Sequence, residues 1–258
     1  FDRQVLNLSP FEIQFNENRQ FFTEGTELFN KSGLFYSRRI GVQAPPGVLN
    51  NNLEEDEVLI NTMNVPRLYN ASKVSGRLKN GLGIGVFNGI TAAQFGQALN
   101  ILDSTEREVM ISPLSNFNVI VLDQNLKNNS YVTLTNTNVL RFGSFYDANV
   151  TGLNLKLNSK SNDYFIEAQG AMSAIMNSGE NSLGHTWGVE TGKQRGAFAF
   201  SGEYYEESDT YNPNDLGFLR ANNSRVFGLN VAYRDFSPSF WKLNKFITNA
   251  SISQERLY

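Results

Sequence analysis

Cysteine is absent from this 258-residue chain. That excludes disulfides, thiolate metal sites and cysteine nucleophiles. It does not identify a compartment. Histidine occurs once, as His185, so a histidine-based zinc site has no second imidazole or thiolate to complete it. Long cationic runs are also missing. The net charge is −3 and the pI is about 5.4, unlike the basic footprint of a nucleic-acid binder. No stretch approaches the roughly 18 consecutive apolar residues of a membrane-spanning helix. No signal peptide is legible, and no low-complexity linker marks an internal domain boundary. Both ends, Phe1-Asp2-Arg3-Gln4 and Arg256-Leu257-Tyr258, read as cut from a longer protein.

Aromatic, glycine and asparagine residues are plentiful. There are 20 Phe, 10 Tyr and 21 Gly, and Asn recurs in clusters such as Asn50-Asn51-Asn52, Asn128-Asn129 and Asn222-Asn223. Phe and Tyr favour strands, whereas Gly and Asn tolerate the positive φ of tight turns. Residues 1–67 have an irregular texture, with short apolar patches, a Pro45-Pro46-Gly47 break and an acidic run at Glu54-Glu55-Asp56-Glu57. The acidic run reads as a solvated loop.

From residue 68 a period of two takes over. Leu82, Ile84 and Val86 alternate with glycines, and Leu153, Leu155 and Leu157 alternate with Gly152, Asn154 and Lys156. Tyr164, Ile166, Ala168 and Met172 alternate with polar residues, as do Phe227, Leu229, Val231 and Tyr233. Each pattern describes a strand with one apolar face and one polar or small face. Asn80-Gly81 predicts a type I′ hairpin turn. Lys127 to Ser130 and Ser159 to Asn162 read as further short turns, while longer polar stretches lie at 91–110, 177–184 and 208–223. The segment Thr91 to Leu102 has poor helical spacing and reads as loop.

Nine or ten strands are expected after residue 67. Short turns alternating with long loops fit an antiparallel transmembrane β-barrel, here partial, and the irregular segment 1–67 is expected to plug it or line its periplasmic mouth. Faces rich in Gly, Ser, Thr, Asn and Gln suit a wet or tightly filled lumen. Aromatics at Tyr131, Tyr146, Tyr164, Trp187, Tyr204-Tyr205, Tyr211, Phe236 and Trp241 are expected as interface girdles. A soluble β-sandwich or propeller would repeat strands in the same way, but would close its apolar stripes into one core.

Candidate chemistry is sparse. His185, in Leu183-Gly184-His185-Thr186-Trp187, would have to be the base of any Ser-His-Asp triad, yet no nucleophile elbow adjoins it. Glu203, Glu206 and Glu207, with Asp209 and Asp215 beyond, are the carboxylates open to glycoside hydrolysis. Glu203 and Glu207 share a strand face about 13 Å apart, too far for the two-carboxylate geometry. Asp209 to Asp215 offers several oxygens but lacks the spacing of a calcium loop, and an Asx- and proline-stabilised turn is favoured. Gly81-Leu82-Gly83-Ile84-Gly85 alternates within a strand and lacks the following helix of a phosphate loop, so it marks relieved crowding or the close approach of another segment. Arg38-Arg39 reads as a lumen or anion-binding pair, or as the partner of Glu17, Glu24 or Glu27. Sequons such as Asn70-Ala71-Ser72 arise by chance in so Asn-rich a chain. No catalytic, cofactor-binding or metal-binding set emerges, so a chain without enzymatic activity or cofactor is expected.

Several stretches resemble the DUF5916 family. They are Asn7-Leu8-Ser9-Pro10-Phe11-Glu12, Glu17 to Gly25, Leu34 to Gly41, Asp123 to Ser130, Tyr146 to Thr151 and Glu207 to Phe218. The resemblance implies a large outer-membrane protein common in Bacteroidetes. A domain similar to family 9 carbohydrate-binding modules would precede a carboxy-terminal barrel, of which this chain is a portion. The implied partners are outer-membrane lipid, glycan through that preceding domain, and other envelope proteins. The implied role is a pore or the membrane anchor of a surface carbohydrate-handling protein. A scaffold subunit of a larger envelope complex and a soluble β-rich carbohydrate-binding or hydrolytic domain remain alternatives.

Overall fold

The computed structural model describes residues 12–41, 53–61, 67–177, 179–238 and 244–257. Its main element is a ten-stranded antiparallel sheet. In spatial order the strands are β13 (Phe246–Leu257), β12 (Ser224–Asp235), β11 (Phe198–Glu207), β10 (Ser182–Lys193), β9 (Tyr164–Met176), β8 (Asp147–Asn158), β7 (Tyr131–Arg141), β6 (Ser115–Asn125), β3 (Leu82–Thr91) and β2 (Leu68–Arg77). A small sheet of β1 (Glu57–Asn61), β4 (Gln94–Asn100) and β5 (Glu106–Ser112) extends the β3–β6 hairpin. The expected all-β antiparallel architecture is present, but the sheet is open. Among the described residues β2 and β13 are free edges, so the expected barrel is not closed.

Two expectations need correction. The segment 94–100 is strand, not loop, because β4 pairs with both β1 and β5. The β1 pairing is non-local and the β5 pairing is a hairpin, and the weak alternation of Gln94 to Asn100 announces neither. The irregular entry segment likewise contains β1, together with a short helical turn (Gln20–Thr23) and a 3-10 turn (Ser37–Arg39).

Turn chemistry is also redistributed. Gly81 has φ +86° and its N–H bonds to Leu78 O, while Asn80 is not in the positive-φ region. This fits a type I turn followed by a left-handed residue, rather than the expected type I′ turn. Type I′ character falls instead at Asn128-Asn129, with φ of 59° and 57° and Ser130 N bonding to Lys127 O.

Register assigns every residue to one of two faces. Gly83, Gly85, Phe87, Val119, Val121, Thr133, Thr135, Val139, Val150 and Ala171 lie on a covered face. Onto it pack the N-terminal segment, through Phe22, Leu28, Phe29 and Ile40, and the loop 208–223, through Tyr211 and Leu216. Full burial of each such large side chain stabilises by about 1.5–3 kcal/mol. The opposite, outer face carries Ile84, Val86, Ile120, Leu122, Leu134, Leu153, Leu157, Ile166, Met172, Phe227, Leu229 and Val231, all exposed. An asparagine row, Asn88, Asn118, Asn138 and Asn149, runs across four neighbouring strands of that outer face. Asn88 Nδ2 donates to Asn118 Oδ1 at 2.8 Å, Asn136 Nδ2 to Asn149 Oδ1 at 3.1 Å, and Asn138 Nδ2 to the backbone carbonyl of Ala148 at 3.4 Å.

Glycines on the covered face admit the packed segments. A Cβ at Gly83 would press on Leu28, one at Gly152 on Leu34, and one at Gly184 on the backbone of Thr210 and Tyr211. The Gly184 contact is backbone, which cannot swing aside. Gly184→Val should therefore push the 208–223 loop off the wall at a cost of about 1–3 kcal/mol. Hydrogen exchange should rise at Tyr211 and Leu216 while β6 and β7 stay protected; unchanged protection at both residues would refute the packing.

Candidate functional site on the covered face

The covered face is where chemistry-bearing side chains converge. Asp123, which follows Phe117, Val119 and Val121 on the covered face of β6, is fully buried. Lys31 Nζ donates to its Oδ1 at 2.8 Å, Thr133 Oγ1 donates to the same oxygen at 2.6 Å, and Arg77 pairs with Oδ2. Two cations and a hydroxyl thus offset the desolvation of one carboxylate. The cluster fastens the N-terminal segment to β2, β6 and β7, and Lys31 also lies over the Tyr131 ring at 4.8 Å.

A second cluster fastens the 208–223 loop. Arg141 pairs with Asp215, both side chains about 5% exposed or less, and Tyr146 Oη donates to Asp215 at 3.0 Å. Burial is the first cause that pushes the Tyr146 phenol well above its ordinary range, and the neighbouring Asp215 charge adds to it. The phenol therefore stays a donor at any physiological pH. Tyr211 is likewise raised to about 12, chiefly by burial and then by Glu207.

The N-terminal segment is cross-tied within itself. Glu17 accepts from the Arg19 backbone and guanidinium and from Ser37 Oγ at 2.7 Å, while Arg19 also donates to Ser37 O and Ile40 O. Burial, the largest single influence, opposes ionisation of Glu17, but the bonds from Arg19 and Ser37 together outweigh it and hold its pKa at about 2.

Farther along the sheet the covered face is polar and open. Register places Glu167, Glu190 and Glu203 directly opposite one another on β9, β10 and β11. Lys156 ends the row and pairs with Glu167. Like charges opposite one another are unfavourable, and they persist here because that part of the wall is not packed over. Tyr205 lies across Gly188, where a Cβ would collide with its ring.

The residues singled out in sequence fall as follows. His185 is exposed on β10, opposite Met172, with its backbone bonded to Ser208 and no triad around it. Glu203 and Glu207 share the covered face, as alternation required, whereas Glu206 faces outward and pairs with Arg225 at 3.0 Å. Asp209 is exposed, whereas Asp215 is buried against Arg141. Asn214 N bonds to Asn212 Oδ1, and Leu216 and Gly217 N–H groups bond to Pro213 O, so the stretch is an Asx- and proline-based turn. Among the described residues no group of three or more His, Asp or Glu is placed to hold a metal ion. Arg39 binds Glu12 and Gly217 O rather than Glu17, Glu24 or Glu27, and Arg38 lies over the Phe15 ring. Tyr131, Tyr146, Tyr205 and Tyr211 belong to the covered face, not to a girdle; Tyr164, Trp187, Tyr204 and Phe236 are on the outer face or at its rim. Trp241 and the Pro45-Pro46-Gly47 break lie outside the described residues.

Neither the burial of Asp123 nor the Glu167–Glu190–Glu203 row was flagged in the sequence, where Glu203 stood out only as a carboxylate open to glycoside hydrolysis. The only available signal was a single charge within the apolar alternation of Val119, Val121 and Asp123. The row depends on the pairing of three separate strands.

A family model described as "Domain of unknown function (DUF5916)" matches residues 1–258. The chain belongs to the DUF5916 family. No curated protein and no solved structure matches it. In this member of DUF5916, the stretches that suggested the family hold the carboxylate of each buried ion cluster and, for Asp215, its partner Tyr146: Asp123 opens one stretch, Tyr146 another, and Asp215 lies in a third, whereas Lys31, Arg77, Thr133 and Arg141 lie outside them.

Removing the Asp123 charge strands Lys31 and Arg77, each about a third exposed. Breaking a buried pair costs about 3–5 kcal/mol, and the exposure of both cations reduces this to about 1–3 kcal/mol for Asp123→Asn. Limited proteolysis should cut residues 12–41 faster in that variant than in Thr133→Val, which keeps the ion pairs; equal rates would refute the role of the cluster.

The depressed pKa of Glu17 contributes stability that is present above the ordinary value of 4.5 and lost as pH falls toward 2. The difference in urea midpoint between the parent and Glu17→Gln should therefore shrink through that window. A constant difference would contradict the assignment.

Proposed function

We propose that the chain forms part of the wall of a bacterial outer-membrane β-barrel, with the N-terminal segment as a plug against its inner, covered face. The barrel serves as a pore, or as the membrane anchor of a surface protein that handles carbohydrate. One observation carries this reading: the large apolar side chains of ten neighbouring strands lie exposed on the outer face, while the covered face, Ile247 and Leu257 of the edge strand β13 apart, is mostly polar, small or filled by the chain's own segments. A soluble sheet would bury those stripes, because they are the most apolar surface it has. Leu153, Leu157, Phe227, Leu229 and Val231 are instead on the outside, which favours the membrane wall over a soluble carbohydrate-binding or hydrolytic domain.

Dimensions support the reading as well. A tilted strand crosses a bilayer with about 9–11 residues, and the ten strands run from 10 to 13 residues. The asparagine row then bounds the apolar belt on the long-loop side, with its polar groups paired as a low-dielectric surrounding demands. A scaffold role in an envelope complex uses the same wall and differs only in what it holds.

The test is fractionation and gel migration of the intact protein. It should sediment with the outer membrane and run at different apparent masses before and after boiling in detergent. A detergent-free, monodisperse soluble form would sink the proposal.

A further inference from the structure

Antiparallel order brings five connections to one end of the ten-stranded sheet: 78–81, 126–130, 159–163, 194–197 and 236–245. Every one of them carries a cation, namely Lys79, Lys127, Lys160, Arg195 and Lys245. All five are exposed, and none has a carboxylate partner among the described residues. Asp163 is the one carboxylate in these connections. The opposite end has the reverse balance, with Asp103, Glu106, Glu108, Glu180, Asp209 and Asp215 against Arg67, Arg107 and Arg220.

Hairpins repeat every two strands, so successive cations stand about 10 Å apart along the rim. That is close to the screening length at 0.1 M salt, so the cations act as one band of potential. Exposed apolar side chains lie in or next to the same connections: Leu78, Leu126, Tyr164, Phe198 and Phe236, the last with Lys245 over its ring at 5.6 Å. Apolar body and cationic tip in sequence is the arrangement that long basic side chains adopt at a lipid boundary.

We infer that this basic collar seats the short-turn end of the wall at the anionic phosphate headgroups of a lipid leaflet. The inference rests on the membrane reading above and adds an orientation and a lipid class to it. Phosphatidylglycerol offers the matching charge, and the acidic opposite end would be repelled from such a surface.

The experiment uses the intact protein refolded into vesicles of phosphatidylcholine, with and without phosphatidylglycerol, at low and high salt. The anionic lipid should raise membrane partition by about fivefold for each engaged cation, and high salt should erase the gain. The quadruple variant K79Q/K127Q/K160Q/R195Q should insert into neutral vesicles as the parent does and lose most of the gain. The single variant Lys127→Gln should lose a graded part of it and serves if the quadruple variant does not fold. Arg220→Gln, at the opposite end, should keep the full gain. Insertion into neutral vesicles with indifference to phosphatidylglycerol would overturn the collar alone, even if the protein then bound polyglutamate, which would point to an acidic protein partner. Failure to insert into either membrane would overturn the membrane reading itself.

Discussion

Everything in this protein follows from a wall one strand thick. An extended backbone sends successive side chains to opposite faces, and the hydrogen-bonded ladder locks neighbouring strands into one register. Ten strands in sequence therefore make two continuous surfaces, and each residue is committed to one of them. Here the apolar stripes fall on the surface that the protein's own segments leave bare. The other surface is made of threonine, glycine and small apolar residues, and it receives the N-terminal segment and the 208–223 loop.

That reception has a physical economy. Glycines at 83, 85, 152 and 184 leave room for side chains or backbone to lie flat on the wall. Asp123 and the Arg141–Asp215 pair then fix where the two segments sit. Buried ion pairs add little net stability compared with packed hydrocarbon, but they tolerate only one arrangement of partners. Apolar contacts through Phe22, Leu28, Phe29, Ile40 and Leu216 supply the attraction, and the ion clusters select the position. Where neither segment reaches, the wall keeps a carboxylate row with a cation, Lys156, at one end only, which a packed interior would not tolerate.

Much of this was legible in the residues themselves. Alternation at Leu82–Val86, Leu153–Leu157 and Phe227–Tyr233 identified strands and their faces, and Asn-Gly and Asn-Asn pairs located turns. The glycine alternation at 81–85 pointed to a close approach, which Leu28 and Phe29 make. Reading failed where the deciding contact was remote. Strand β4 pairs with β1, remote in the chain, as well as with its hairpin neighbour β5. Tyr146 and Tyr211 turned inward because Asp215 and the Leu34 cluster wait there, although their place near segment ends suggested a rim.

The sequence by itself determined the all-β class, the period-2 division of faces and most of the turn positions, because these depend on residues near one another along the chain. Only the tertiary structure decided which face is covered, that Asp123 is a buried tie rather than a surface charge, and that Glu167, Glu190 and Glu203 stand side by side. Those outcomes depend on register between strands far apart in the chain, and local propensity carries no information about that register.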